Sequence, residues 1–303
     1  MNNKLLCITC VRDFYKLQRQ IESFIFYLPI EYEIIYIIEG ENFHEFLKLW
    51  DEYSDNHSRL QNKITIQFAH DFITSDTEKY YNTSLSNPFF LSGWHRQQLL
   101  KLLAVANQPD DRVIVIDSKD FLFNPLPINI IDSHMYTTRI DPYHLDSYTE
   151  HILPIYEEKT GIYLDTKGSF VTPITMIPQV VRTGISRIEN FIEWWINTSV
   201  TYNWMSEFQL YHLWHVNQNF PLYENKNKKF SMWRGDTPFN NSDSLYDAIC
   251  FSRNMPDFFW ISLGHNASTI WNDEVKDGWS NWLKQNGFIG RWNEIDTNLP
   301  EML

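Results

Sequence analysis

The chain has 303 residues, 38 of them acidic and 25 basic, for a net charge of −13. That balance argues against nucleic acid or an anionic membrane surface as a partner, because phosphates are met by clustered Lys and Arg. The length supports one large domain, and the aromatic content of 16% suits either sugar- or base-stacking platforms or an aromatic-rich core.

The opening apolar run Lys4–Cys10 reads as a strand, and Phe14–Leu28 as a helix whose apolar residues recur at three-four spacing. Glu33–Ile38 is a second strand, Phe43–Trp50 a short helix and Lys63–Phe68 a third strand. Gly93 opens a helix that ends before Pro109, and Val113–Ile116 follows as a strand buried on both faces. This alternation predicts an α/β fold with a mostly parallel central sheet flanked by helices. The second half is less regular. Strands are expected at His134–Arg139, Phe170–Met176 and Asp257–Ser262, and helices at Ile185–Thr198, Trp204–Val216 and Ile270–Gln285. With no repeat and no Gly/Ser linker, residues 1–303 read as one domain with an irregular second half.

The three cysteines, Cys7, Cys10 and Cys250, include a Cys7-x-x-Cys10 spacing, but no second pair completes a zinc site. Within an apolar strand these read as buried reduced thiols. The first ten residues lack the features of a signal peptide, and no apolar run approaches the roughly 20 residues that span a bilayer. A cytoplasmic protein without a membrane span is the expectation.

Candidate chemistry gathers where strands end, since α/β sheets bind ligands outside their carboxyl edge. The first strand runs into Thr9-Cys-Val-Arg12-Asp13, where Arg12 offers a guanidinium fork for phosphate and Asp13 could equally cap the next helix. The helix Gly93-Trp-His-Arg-Gln-Gln-Leu-Leu-Lys101 carries Arg96, Gln97, Gln98 and Lys101 just ahead of the central strand. On it Trp94, a Gln and Lys101 share a face, with Arg96 and His95 pointing elsewhere. That strand ends Asp117-Ser118-Lys119-Asp120. If extension continues, Asp117 and Lys119 share a side, so that a lysine ammonium would neutralise phosphate. If the chain turns after Ser118, Asp117 and Asp120 meet around a divalent ion. Both remain open. Glu207, near the start of a helix with Tyr211 one turn on, is either a general base or a first-turn acid favoured by the helix dipole. His265, after the last strand, is either a metal or phosphate ligand or a structural histidine. Trp194, Trp195, Trp204, Trp214 and Trp233 would suit sugar stacking, several of them being core.

In their order, Gly93–Lys101, Val113–Pro125, Thr172-Pro173, Ser206–Tyr211 and Ile261–His265 resemble a GT-A fold glycosyltransferase. More narrowly, they resemble a little-characterised GT-A-like group from bacteria and their phages, including loci for surface polysaccharides. The resemblance implies a Rossmann-related donor half, residues 1–125, and an α+β acceptor half, residues 126–303. It implies a nucleotide-sugar donor of UDP or GDP type held by Thr9, Arg12, Arg96, Gln97, Asp117, Ser118 and Lys119. It also implies a glycan or lipid-linked saccharide acceptor near Thr172 and Tyr211, with Glu207 and Asp117 catalytic. Asp117, Asp120 and His265 would hold Mn²⁺ or Mg²⁺. The sequence departs from the family at Lys119, where the usual Asp-x-Asp has its second carboxylate, and metal dependence is therefore open. The activity implied is sugar transfer to a hydroxyl of a cell-surface glycan or its precursor. The alternative is a catalytically inactive glycan-binding or scaffold protein on the same fold. Nucleotidyl transfer ranks last, because Thr9–Asp13 holds no glycine for a phosphate loop.

Overall fold

The computed structural model describes residues 3–40, 43–54, 63–73, 93–109, 112–122, 124–128, 136–138, 152–163, 171–173, 175–202, 205–217, 230–233, 239–254, 260–263 and 271–286. Its first part alternates as β1 (Asn3–Cys10), α1 (Phe14–Tyr27), β2 (Tyr32–Glu39), α2 (Phe43–Ser54), β3 (Ile64–Phe68), α3 (Gly93–Ala106) and β4 (Val113–Asp117). Four parallel strands in the order β3-β2-β1-β4 form the sheet, and β8 (Thr175–Met176) adds an antiparallel edge beside β4.

Side-chain alternation explains the layering. Leu6, Ile8, Ile35, Ile37, Val113 and Val115 pack in one apolar cluster with Leu99, Leu100 and Leu102 of α3. Leu5, Cys7, Ile34, Tyr36, Ile38, Ile114 and Ile116 pack in the other with Leu17, Ile21 and Phe24 of α1. Both faces are thus covered, as their uninterrupted β-branched runs require. The chain runs outward from β1 to β2 and β3, then returns to place β4 on the other side of β1. The sheet therefore has its topological switch point between β1 and β4, where an open α/β sheet has its crevice.

The second half departs from the expected elements. After β4 a turn at Ser118-Lys119 leads into β5 (Asp120–Leu122), which leaves the main sheet and pairs with β10 (Trp260–Leu263), itself parallel to β9 (Phe230–Trp233). The strand expected over Phe170–Met176 is two strands in different sheets. β7 (Val171–Pro173) pairs with β6 (Tyr136–Thr138), and β8 pairs with β4. Pro173, which has no N–H to give, stands at the end of β7. Helices α4 (Leu153–Thr160) and α8 (Ser242–Arg253) were not expected.

The helix expected from Ile185 is also two. α5 (Pro178–Ser186) ends, and α6 (Phe191–Thr201) restarts after Asn190, whose φ of 50° is a left-handed conformation that asparagine tolerates better than most residues. α7 (Glu207–Asn217) and α9 (Asp273–Gln285) begin about one turn later than predicted. Asn272 caps α9, its side chain accepting from the Val275 N–H at 2.9 Å. Trp195 and Trp214 are core residues, fully or almost fully buried, so they offer no sugar platform; Trp204 and the Trp233 side chain lie outside what is described. None of the described helices is long and apolar enough to cross a membrane.

α5 meets α7 at Gly184, where a Cβ would intrude on the buried Trp214 indole. Gly184→Ala therefore forces one helix away from the other. A loss of about 1–3 kcal/mol, the usual cost of overpacking, is expected in urea unfolding. Recovery in a Gly184→Ala/Trp214→Leu double variant would tie that loss to the indole.

Candidate functional site

The carboxyl ends of β1, β2 and β4 bring side by side residues that the sequence scatters. Ile8 is in register with Asp117, and Cys10 with Glu39. A single 3-10 turn, Val11–Asp13, joins β1 to α1 and puts Arg12 in solvent. Ser118, in the turn after β4, donates to Asp13 Oδ2 at 3.2 Å across the switch point, and Lys16 holds Asp13 Oδ1 at 2.6 Å. Beneath them Gln20 of α1 donates to the backbone oxygens of Asp117 and Asp120 at 2.8 and 2.6 Å. The Tyr36 hydroxyl in turn donates to Gln20 Oε1 at 3.0 Å, so the turn after β4 is fixed from below.

On the α3 side the centre is ionic. Lys101 Nζ lies 2.6 Å from Asp117 Oδ1 and 3.0 Å from Glu207 Oε1, bridging a β4 carboxylate to one at the start of α7. Lys101 is 2% exposed and Glu207 0%, whereas Asp117 keeps 33% of its side chain open. The Lys101 ammonium also lies 5.0 Å from the centre of the Phe208 ring, a cation–π distance. Lys119 Nζ sits 3.1 Å from the other Asp117 oxygen, Oδ2. Beside this group Arg96 pairs with Glu39 at the end of β2.

The electrostatics follow from burial and pairing. Burial acts to raise the Asp117 carboxyl, but Lys101 and then Lys119 overcome it and hold the group well below the usual carboxylate range. For Glu207 burial prevails. Its carboxyl is pushed up, Lys101 opposing and Asp117 adding to the rise. Burial would lower the Lys101 ammonium, yet its two carboxylates carry it above the ordinary lysine value. Burial likewise raises Glu39 against the pull of Arg96.

The residues singled out from sequence fall into three groups. Asp117, Ser118, Lys119, Asp120, Glu207, Arg96 and Arg12 all lie at or beside the carboxyl edge. Asp120 is turned inward, and its Oδ2 accepts the Asp117 N–H at 2.7 Å. Thr9 is fully buried in β1 and Gln97 is half-buried on α3. Tyr211 stands apart in the core, its hydroxyl accepting the Ile177 N–H at 3.0 Å. Thr172 is placed only by its backbone, opposite Thr137, and His265 lies outside the described residues. Cys7 is buried and its thiol is pushed up, first by that burial and then by Asp117, away from the thiolate a metal would need. Among the described residues no three His, Cys, Asp or Glu side chains gather as a metal ion would require.

Sequence reasoning placed Lys101 on a helix facing the crevice but gave it no partner, although Leu99-Leu-Lys-Leu-Leu103 carried a signal. A lysine inside an apolar helical run is buried only when paired. Glu39 was missed as the partner of Arg96, and Gln20 as the support of the turn.

Residues 30–245 match the model of a family of unknown function, DUF6492. No curated protein matches the sequence. Among solved structures, the bifunctional glycosyltransferase WbbM is 11% identical, with a TM-score of 0.43 over 86% of this chain and 45% of its own. Mouse xyloside xylosyltransferase 1 is 10% identical, with a TM-score of 0.44 over 88% of this chain and 99% of its own. The glycosyltransferase GlyE of Streptococcus pneumoniae TIGR4 is 8% identical, with a TM-score of 0.41 over 94% of this chain and 64% of its own. The chain thus spans less than half of WbbM and less than two thirds of GlyE.

Proposed function

We propose, for a chain that belongs to the DUF6492 family of unknown function, that it is a glycosyltransferase using a nucleoside-diphosphate sugar. The acceptor is a hydroxyl of a cell-surface glycan or its lipid-linked precursor, and the reaction belongs to the cytoplasmic side. The observation that carries the reading is the Lys101-bridged pair of carboxylates, Asp117 and Glu207, at the carboxyl edge of a parallel sheet. Such edges receive nucleotide ligands at the switch point, and a buried ionic centre there can act on charge that develops during reaction.

In this reading residues 1–125 hold the donor and residues 126–303 the acceptor. Arg12, Arg96, Gln97 and Ser118 ring the donor diphosphate, with Thr9 in the strand beneath. In the transfer the bond from the anomeric carbon to the phosphate oxygen breaks, and its electron pair leaves with the nucleoside diphosphate. The acceptor oxygen bonds the anomeric carbon and gives up its proton. Glu207, whose carboxyl burial pushes up, takes that proton in an inverting reaction; in a retaining one it positions the acceptor, and an oxygen of the leaving diphosphate takes the proton. Thr172 and Tyr211 belong to the acceptor half.

One observation favours a second reading. Glu207 is wholly buried and held by Lys101, so an acceptor hydroxyl reaches it only if that contact opens. A protein in which it never opens would bind glycan without turnover.

A thermal-shift series with UDP, GDP, CMP and dTDP, and their common sugars, separates the two. Ligand at about a hundred times its Kd adds about 2.7 kcal/mol, and one nucleotide family is expected to raise Tm. Stabilisation by glycans alone would establish the binding protein, and no stabilisation by any nucleotide defeats the transferase reading.

A further inference from the structure

The carboxylates at the sheet edge are already compensated. Asp117 Oδ1 faces the Lys101 ammonium and Oδ2 faces that of Lys119, at 2.6 and 3.1 Å. Glu207, the other carboxylate of the centre, shares Lys101. Asp120, the second ligand a metal would need in this turn, directs Oδ2 to the Asp117 N–H. A divalent ion on Asp117 would have to sit against two ammonium groups within bonding reach of the same carboxylate, and repulsion between like charges at that range opposes it. The residues present therefore do not fit Mn²⁺ or Mg²⁺.

The two lysines are not equivalent. An ammonium carries three donors. Lys101 directs two of them to Asp117 and Glu207, lies over Phe208, and is 2% exposed, which leaves nothing for a ligand. Lys119 gives one to Asp117, is 31% exposed, and keeps two for an incoming anion. Resting on the transferase reading, we infer that the site works without a divalent cation. Lys119 is the residue that meets the leaving diphosphate, and Lys101 is a positioning residue that fixes Asp117 and Glu207 beneath it. The negative charge that forms on the diphosphate as the anomeric bond breaks is then offset by a side chain on the β4–β5 turn.

The test is Mn²⁺ alone, titrated into the full chain and followed by the loss of its free-ion electron paramagnetic resonance signal. The wild-type protein is expected to leave the signal unchanged into the millimolar range. Lys119→Asp, which turns a partly exposed cation after β4 into a second carboxylate two residues after Asp117, is expected to bind Mn²⁺. Binding by the wild-type protein that Asp117→Asn abolishes would overturn the inference. So would a Lys119→Asp variant as silent as wild type, because the lysine would then not be what denies the metal. A circular dichroism spectrum matching wild type shows that the variant is folded. Where a nucleotide raises Tm, the shift is expected to be equal in Mn²⁺ and in EDTA and to shrink at least tenfold in apparent affinity in Lys119→Ala. Mn²⁺ binding needs no nucleotide, so failure of the transferase reading and failure of this one are read separately.

Discussion

Lys101→Met is expected to lose about 3–5 kcal/mol of folding stability, the range measured when one partner of a buried ion pair is removed. Methionine keeps the unbranched lysine chain as far as its ε carbon, so packing among Leu99, Leu100 and Leu102 is little disturbed. What disappears is the charge. Glu207 has no exposure to water and lies 3.0 Å from Lys101. Without it the buried carboxylate keeps its charge with less compensation or takes up a proton, and either raises the energy of the folded state. Asp117 suffers less, because a third of it is open to solvent and Lys119 remains. Lys101→Met/Glu207→Gln should therefore recover much of the loss, since both buried charges go together. Urea midpoints for the wild type, both single variants and the double give the coupling as a cycle. A Lys101→Met protein as stable as wild type would mean that the bridge is not the buried contact described.

The parallel half of the fold was legible because its signals are local. Val113-Ile-Val-Ile116 and Ile34-Ile-Tyr-Ile-Ile38 are apolar without alternation, and short β-branched runs of this kind suit a strand covered on both faces. The three-four spacing from Phe14 to Leu28 marked α1 to within a residue of its end. The second half was harder because its elements are short and serve different clusters. Phe121 of β5 packs with α8 and α9, while its neighbour Leu122 joins the core under α1. No periodicity extends across a strand of three residues. The site shows the same division. Extension and turn were alternatives for Asp117-Ser-Lys-Asp120, and the chain turns at Ser118-Lys119. The turn lets Asp120 reach back to the Asp117 N–H, and the long Lys119 side chain still reaches the Asp117 carboxylate. The Lys101–Glu207 contact joins residues 106 positions apart, and no spacing rule links such a pair. Only the lysine within a leucine run announced that a partner had to exist.

Asp117→Asn should cost more in activity than in stability. Asparagine keeps the shape but cannot hold two ammonium groups, so Lys119 loses its anchor while Lys101 keeps Glu207. Transfer is expected to fall by roughly 10²–10³-fold, the usual consequence of removing one preorganised electrostatic group. In the proposed reaction the loss should lie in kcat, because the charge that Lys119 is assigned to offset grows only as the donor bond breaks. Stability should fall less than in Lys101→Met, since Glu207 keeps Lys101. Without the charge of Asp117, Glu207 also ionises more readily against Lys101. The two proteins should differ in their response to acid. Because the lysines hold Asp117 below the ordinary carboxylate value of about 3.9, its contribution is present in full above that value and fades as pH falls through the folded value. The Tm gap between wild type and Asp117→Asn is therefore expected to close as pH falls below about 4. A gap that persists unchanged into strong acid would show that the ion pairs do not carry the difference. Turnover unchanged in Asp117→Asn would remove Asp117 from the chemistry.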